Sequence, residues 1–530
     1  MGFVMGGMDT VWGGVSAEPV TSPINGINRF MARRLKRSSR VRQAQMKSVV
    51  PTPSVRVVET PNDFVTGTGS GAGFGIGSFT YWKGCFIFDS YCFIEALTYG
   101  ENGTLYGSFD GVLGSFNFSS QSVEPETGGQ EDGNSELFAI ATSRAGDVYS
   151  AHGSVASLDF PGYLQKFDSH LVFVASVTVP PAITGTAVAP WGLVVDQDGT
   201  IFMGGFDSNW AIGLPSGWLR KYSSDMVLLS SATVSPQGGI SKIQLGNDGF
   251  LYACGEKYVG LTNGNIWVGK FDKNLNLISE REINTGGGFV DSSNSLALDK
   301  SGNVYVVGSV YEVVGGTNAW IGKFNSDLVL VSSVSMIGTL DGQGDTWDDI
   351  AVVGPYVYVT GEFGTPTYFP EGTGTVLVMA QYTKDLGNVI SITPGDLSGG
   401  YDDGGISLAY DGHSSLFVGG TQSDIGWLSR HTIVGENTAL TTGDKPVAYP
   451  NPFRPSQGHT TMTIGNVAPN QTLKLFTLKG DLVRSIPTTS GGEATWDLKN
   501  DSGESVQSAV YFGLVDGQGS DKTFKVVVQR

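Results

Sequence analysis

Residues 296–325 read LALDKSGNVYVVGSVYEVVGGTNAWIGKFN. The first half alternates apolar and polar residues up to a turn, DKSGN, and continues as VYVVGSV. After a Gly-rich interval the second half, WIGKFN, follows. The same two-part phrase recurs as LVVDQDGTIFM with WLRKYS, IQLGNDGFLYA with WVGKFD, and AIATSRAGDVYS with YLQKFD. Looser copies read IAVVGPYVYVT with LVMAQYT, and LAYDGHSSLFVGG with WLSRH. The aromatic of each first half serves as an anchor: Tyr106, Tyr149, Phe202, Tyr252, Tyr305, Tyr358 and Phe417, spaced by 43, 53, 50, 53, 53 and 59 residues. A repeat of this period marks stacked structural units.

The unit around Tyr305 parses into four strands, Ser295–Asp299, Val304–Val310, Ala319–Phe324 and Leu328–Ser335, with tight turns at 300–303 and 325–327. Small sheets repeated in tandem bury both faces only by packing on one another. A radial arrangement does this while keeping sheet edges short. The expected fold is therefore all-β, a seven-bladed β-propeller. The last unit, from Ile406, runs out after its third strand near Arg430. The orphan apolar segment Phe79–Phe93, FTYWKGCFIFDSYCF, is expected to supply the missing outer strand and close the ring, with Gly67–Gly77 as a mobile approach. A first blade built wholly from residues 64–120 is the competing parse.

Composition agrees. The chain of 530 residues holds 76 Gly and only 15% charged residues, a balance that favours strands and turns. Its length calls for more than one core. No apolar run reaches 18 residues, so no helical membrane span is expected. The net charge of −18 is unevenly placed. Residues 61–445 carry 15 basic and 40 acidic groups, which argues against a nucleic-acid partner. Residues 1–60 form a basic leader, expected to be disordered, in which Arg29–Lys47 holds eight basic residues and no acid. The leader lacks the order of a clean signal peptide, a basic start followed by an apolar core. The three cysteines, Cys85, Cys92 and Cys254, are too few for a disulfide framework. Cys85 and Cys92 are near enough in sequence to bridge or to stay as buried thiols.

After Arg430 the texture changes. Residues 432–446 read as a linker, and AYPNPFRP then fixes an extended backbone through three prolines. Period-2 segments follow at Thr461–Ile464, Thr472–Thr477, Leu482–Ile486, Ala494–Leu498, Val510–Val515 and Thr523–Val528. They are expected to form a small immunoglobulin-like β-sandwich over 447–530.

Catalytic and metal motifs are missing from the sequence. The five histidines have no metal spacing. The expected ligand-binding face lies on the loops between successive units, which carry Asp291, Asp345, Asp348, Asp402 and Asp403 together with Trp191 and Trp347. Trp191 and Trp347 each precede their anchor by eleven residues and are expected at equivalent places near the central mouth. Carboxylates beside aromatics suit a sugar, a cationic group or Ca²⁺. No cofactor is otherwise expected.

The repeat phrase resembles the bacterial β-propeller repeat known as SBBP, through Asp299, Gly302, Asn303, Tyr305, Val306 and Gly308. Asp196, Gly199, Phe202 and Gly205 match in part, as do Tyr358, Val359, Thr360 and Gly361. The C-terminal segments YPNPF, LKLFTLKGDLVRSI, WDLKNDSGESVQSAVYFGLV and KVVVQR resemble the type A sorting domain of type IX secretion cargo. They are similar too to the immunoglobulin-like domain named after the flagellar hook-capping protein. Tyr449, Pro450, Asn451, Pro452 and Phe453 match the opening motif. Leu498 departs where a Gly after Trp-Asp is usual, and Ala509 where Ser-Gly is usual. The resemblance implies export, an extracellular or outer-surface location and the secretion machinery as partner. The function expected is binding or adhesion toward a glycan or protein ligand. The alternatives are a carbohydrate-active hydrolase or lyase using the loop carboxylates, and a purely structural surface-layer component.

Overall fold

The computed structural model describes residues 65–70, 78–84 and 93–530, apart from 110, 119–121, 128–135, 155–160, 209–214, 236, 260–262, 286–289, 313–315, 337–343, 370–371, 388, 395–403, 413–414, 423–424, 434–446, 450–452, 454, 456–460, 466–470, 489–493 and 516–523. The basic leader, Cys85, Cys92 and nearly all of the expected linker lie outside the described residues.

The described chain is all-β, and most of it forms four-stranded antiparallel sheets in a propeller-like arrangement. The first sheet begins with Ile94–Tyr99, the second with Glu136–Thr142, the third with Ala187–Val195 and the fourth with Gly238–Leu245. The fifth begins with Ser292–Leu298, the sixth with Thr346–Val353 and the seventh with Gly404–Tyr410. In the first six sheets four strands follow one another in chain order. Each anchor aromatic is the second or third residue of its sheet's second strand, and all seven are buried.

The initial strands touch one another in succession from the first sheet to the seventh, and the seventh touches the first. The apolar cores have the same circular logic. Each successive pair of sheets shares its own cluster, as with Ala297, Tyr305, Val307 and Ile321 of the fifth sheet against Val357, Val359 and Val378 of the sixth. The last cluster joins Ile94, Leu105 and Phe109 of the first sheet to Ala409, Phe417 and Leu428 of the seventh. Second strands are therefore apolar on both faces, because each face meets a different neighbour.

The seventh sheet takes only three strands from its own unit. Ser78–Gly84 pairs antiparallel with Ile425–Thr432, Phe79 opposite His431, as expected for the closing strand. Beyond it the expectation needs correction. Part of the Gly-rich approach is itself a strand, Val65–Ser70, paired with Ser78–Gly84, and the sheet has five strands. Three of its first four residues, Val65, Thr66 and Thr68, are β-branched and favour a strand.

The two halves of the repeat phrase meet across strands. Tyr305 lies opposite Lys323, whose ammonium stands 5.5 Å from the ring centre. Tyr149 with Lys166, Phe202 with Lys221, Tyr252 with Lys270 and Phe417 with Arg430 repeat the pair. Each is a cation–π contact of about 0.5–1 kcal/mol.

Two turns of the fifth unit share one construction. In the first, Asp299 accepts the Gly302 amide on its carbonyl (3.1 Å) and the Ser301 and Asn303 amides on its side chain (both 2.9 Å), while Gly302 takes φ +81°. In the third, Asn325 accepts the Leu328 amide on its carbonyl and the Asp327 and Val329 amides on its side chain, and Leu328 takes φ +60°. Leu171, Met226, Leu275 and Leu386 occupy the same left-handed place in their sheets, and all are buried. A bulky residue there is strained. It is kept because the side chain fills the core at the sheet's lower edge.

The C-terminal residues form a three-stranded sheet (Val447–Tyr449, Met462–Gly465, Ala494–Trp496) and a four-stranded one (Leu482–Pro487, Thr472–Phe476, Ala509–Val515, Phe524–Val528). They share a core around Trp496, Leu473, Leu475 and Val526. Leu498 takes φ +58° with its side chain fully buried. The backbone keeps the conformation a Gly would favour, and burial offsets the strain.

Candidate functional site

Every initial strand carries a register shift against its neighbour, and at that shift a side chain turns inward. In the fifth sheet Ser293 pairs with Gly308 and Ser295 with Val307, so Asn294 is the extra residue. Ser241, Asp348 and Ile406 are the extra residues of the fourth, sixth and seventh sheets, and Phe138 of the second. In the third sheet the shift holds Pro190 and Trp191, and in the first Glu95 and Ala96. Bulges re-aim side chains in this way. The repeat supplies the means in five sheets. Opposite the bulge stands a Gly three residues past the anchor: Gly205, Gly255, Gly308, Gly361 or Gly420. A Cβ on any of these would sit 1.8–2.2 Å from a carbonyl oxygen of the initial strand. The Gly of the Val-Tyr-Val-x-Gly phrase is thus there so that the first strand can lie against it. Phe109 and His152 take this position in the first two sheets, and His152 is buried against Ser150 Oγ at 2.8 Å.

Residues of all seven initial strands line one cavity of about 60 Å³, among them Glu95, Phe138, Trp191, Ser241, Asn294, Asp348 and Ile406. That volume holds roughly four to six waters. The lining is divided. Trp191 and Phe138, with ring centres 6.0 Å apart, continue through Leu97 and Ile406 as an apolar arc. The fourth to sixth sheets supply Ser241, Lys242, Asn294, Ser295, Asp348 and Asp349. Asn294 Nδ2 donates to Thr346 Oγ1 and Trp347 O, both at 2.9 Å, and to Asp348 Oδ1 at 3.3 Å.

The structure separates the residues expected from the sequence. Trp191 and Asp348 line the cavity together. Trp347 does not share Trp191's place. It is fully buried between the fifth and sixth sheets, with Phe363 at 4.9 Å and Tyr382 at 6.5 Å. The reason is a shorter hairpin. Ala297 pairs with Tyr305 eight residues on, but Ala351 pairs with Tyr358 only seven on, because Gly354 and Pro355 make a tighter turn. Counting eleven back from Tyr358 therefore lands one residue early, and Asp348 is the counterpart of Trp191.

Asp291 and Asp345 are loop braces. Asp291 accepts the Thr285 and Tyr311 amides, both at 2.8 Å, and its carboxyl is pushed up by burial. Asp207 has the same role in the third sheet, accepting the Ile183 amide at 3.1 Å and Trp218 Nε1 at 2.8 Å, and is likewise raised by burial. Asp345 accepts the Gly364 amide at 3.0 Å. Asp402 and Asp403 lie outside the described residues. Among the described residues no group of three or more His, Cys, Asp or Glu side chains is placed to hold a metal ion. Cys254 is buried, its thiol pushed up to about 12 by burial, so it is no nucleophile at neutral pH.

Of the opening motif of the C-terminal module, Tyr449 ends the strand Val447–Tyr449, and Pro450, Asn451 and Pro452 lie outside the described residues. Phe453 is buried, donates its amide to Val527 O at 2.8 Å and accepts the Gln529 amide at 2.9 Å. Phe453 thereby bridges in parallel to Val528 of the module's last strand.

Sequence reasoning missed Glu95, Phe138, Ser241, Lys242, Asn294, Ile406 and Ser407. The signal was present: the eleven-residue offset that picks out Trp191 also picks out Glu95, Phe138, Ser241, Asn294 and Ile406 when applied to their anchors.

No family model and no curated protein matches the chain. Among solved structures the chain is similar to PorZ, an essential bacterial surface component of the type-IX secretion system of Porphyromonas gingivalis. The identity is 14%, the TM-score 0.31, with 81% of this chain and 64% of PorZ covered. The chain thus spans just under two thirds of that protein. It is similar as well to a protein of unknown function from Bacteroides caccae (10% identity, TM-score 0.31, 47% and 85% covered). A third likeness is to one of unknown function from Dyadobacter fermentans (11%, 0.38, 56% and 94% covered).

Proposed function

We propose that the chain is a seven-bladed β-propeller of the SBBP type joined to an immunoglobulin-like sorting module, and that it works at the cell surface as a binding protein. One observation carries the binding reading: the initial strand of every sheet bulges, and the bulges place side chains from all seven sheets around one cavity. Regular strands would have been sufficient for packing. The bulge adds a directed side chain to each sheet, and those side chains differ in chemistry from sheet to sheet while the frame repeats. A constant frame with variable inward residues is what ligand selection on a repeat scaffold requires.

The divided lining suits a ligand with an apolar face and hydroxyl or ammonium groups, presented by a glycan or by a protein side chain. Trp191 stacks on the apolar face, and Asp348 accepts from the polar groups. Export and surface attachment rest on the resemblance of the C-terminal module, of whose YPNPF segment Phe453 is buried and bonded to the backbone of Val527 and Gln529.

A glycan array and a panel of surface-protein peptides, probed with the wild-type chain and a Trp191→Ala, Asp348→Ala variant, test the binding reading. Loss of a wild-type signal by tenfold or more is expected. Equal binding by both chains, or no binding by either, overturns it. Secretion of a chain truncated before Val447 would overturn the sorting assignment.

A further inference from the structure

Asp349 occupies an unusual position. It follows the bulge of the sixth sheet, and its side chain is almost fully buried. Oδ1 accepts the Ser295 hydroxyl of the fifth sheet at 2.6 Å and its neighbour's amide, Ile350, at 3.0 Å. Oδ2 accepts the Leu408 amide of the seventh sheet at 2.7 Å and the Ser407 hydroxyl at 3.3 Å. These four donors fill the acceptor sites of one carboxylate. The Lys242 ammonium of the fourth sheet stands 3.9 Å from Oδ1. Ser407 continues the chain of bonds, because its oxygen accepts the Leu97 amide of the first sheet at 3.0 Å.

The last link crosses the place where the circle is joined without a covalent bond. The seventh sheet begins at Gly404 and the first at Ile94; they share an apolar core, and Ser78–Gly84, which precedes the first sheet in the chain, pairs with Ile425–Thr432 of the seventh. That pairing closes the circle through its outer strands. The path from Asp349 through Ser407 to Leu97 closes it along the inner ones.

We infer that Asp349 is an inner latch: it holds Ser407 in the orientation that receives Leu97 and so pins the seventh sheet between the sixth and the first at the channel wall. The two closures are complementary. Strand pairing resists separation at the rim, and the carboxylate resists separation at the axis. Ser407 and Asp349 also line the cavity. A ligand that draws hydrogen bonds away from them loosens the seam, so occupancy of the channel and closure of the circle are coupled through this node.

Hydrogen exchange on the full chain tests the latch. In Asp349→Ala every donor loses its acceptor. The Leu97 and Leu408 amides are expected to exchange at least tenfold faster than in wild type, while Leu164 and Leu219, in the second and third sheets, change less than threefold. Ser407→Ala is the milder variant, informative if the first fails to fold. It should speed Leu97 tenfold and leave Leu408, still held by Asp349, within threefold. Uniform acceleration across all sheets in Ser407→Ala would make the contact a general stability element and overturn the latch. Unchanged exchange at Leu97 in either variant would overturn it as well.

Discussion

Leu328 gives the sharpest test of the reasoning about the turns. It is buried, 2% exposed, and holds φ +60°. Leu328→Ala removes the packed side chain and keeps a Cβ in the left-handed region. Loss of a buried Leu side chain costs about 2–5 kcal/mol. Leu328→Gly loses the same packing and also releases the left-handed strain, worth about 1–2 kcal/mol. Against this, Gly adds about 0.5–1 kcal/mol of chain entropy to the unfolded state. The net expectation is that the Gly variant is more stable than the Ala variant by about 0.5–1 kcal/mol. In ordinary strand positions the order is reversed, Gly being the worse by a similar amount. Urea denaturation of the two variants, compared with an Ala/Gly pair at Leu219, a buried leucine within a regular strand, reads the sign directly. An Ala variant more stable than the Gly variant at 328 would refute the account of these turns as strained positions held by burial.

The remaining predictions concern the glycines and the acid limb. Gly308→Ala places a Cβ 2.0 Å from the Ser292 oxygen and should cost about 3 kcal/mol or more, whereas Gly249→Ala meets nothing within 4 Å and pays only for φ +81°, about 1–2 kcal/mol; thermal midpoints that rank the two the other way would contradict the bulge geometry. Asp272 is held below the ordinary Asp value of 3.8 by the Asn276 side chain and amide, and Asp168 by the Val172 and His170 amides. Their contribution is therefore present above that value and is lost as pH falls through the lowered one. A double Asp168→Asn, Asp272→Asn variant should show a shallower fall in melting temperature below pH 4 than wild type, because Asn325 already makes the same turn without a titrating group. An unchanged slope would exclude these caps as its source.

Much of the architecture was legible because it rests on local chemistry repeated many times. The DKSGN-type turn announces a hairpin through Asp299 and Gly302, and the anchor aromatic and its partner cation fall opposite each other on adjacent strands. The closing strand at Ser78–Gly84 was legible by elimination, an apolar segment opposite a unit one strand short. What was not legible depended on strand pairing. Val65–Ser70 was hidden by its glycines. Asp291 and Asp345 looked like ligand carboxylates, since a sequence shows charge but not the amides of Thr285, Tyr311 and Gly364 that take up that charge.

The channel residues show most clearly where a one-dimensional count fails. An offset of eleven from the anchor holds only while the first hairpin keeps its length and the bulge its place. Six units keep both. In the sixth, Gly354 and Pro355 shorten the turn by one residue, and the side-chain period of two then moves the count from one face of the strand to the other. The Trp that the count directs to the mouth becomes core, and the carboxylate beside it becomes lining. The same period explains why Asp348 and Asp349 do different work. Asp348 is the bulge residue, beside Asn294. Asp349 resumes the regular pairing opposite Thr360 and directs its carboxylate to Ser295 and the Leu408 amide. Both acids line the cavity, but only Asp349 also ties the fifth and seventh sheets together, a difference that follows from register.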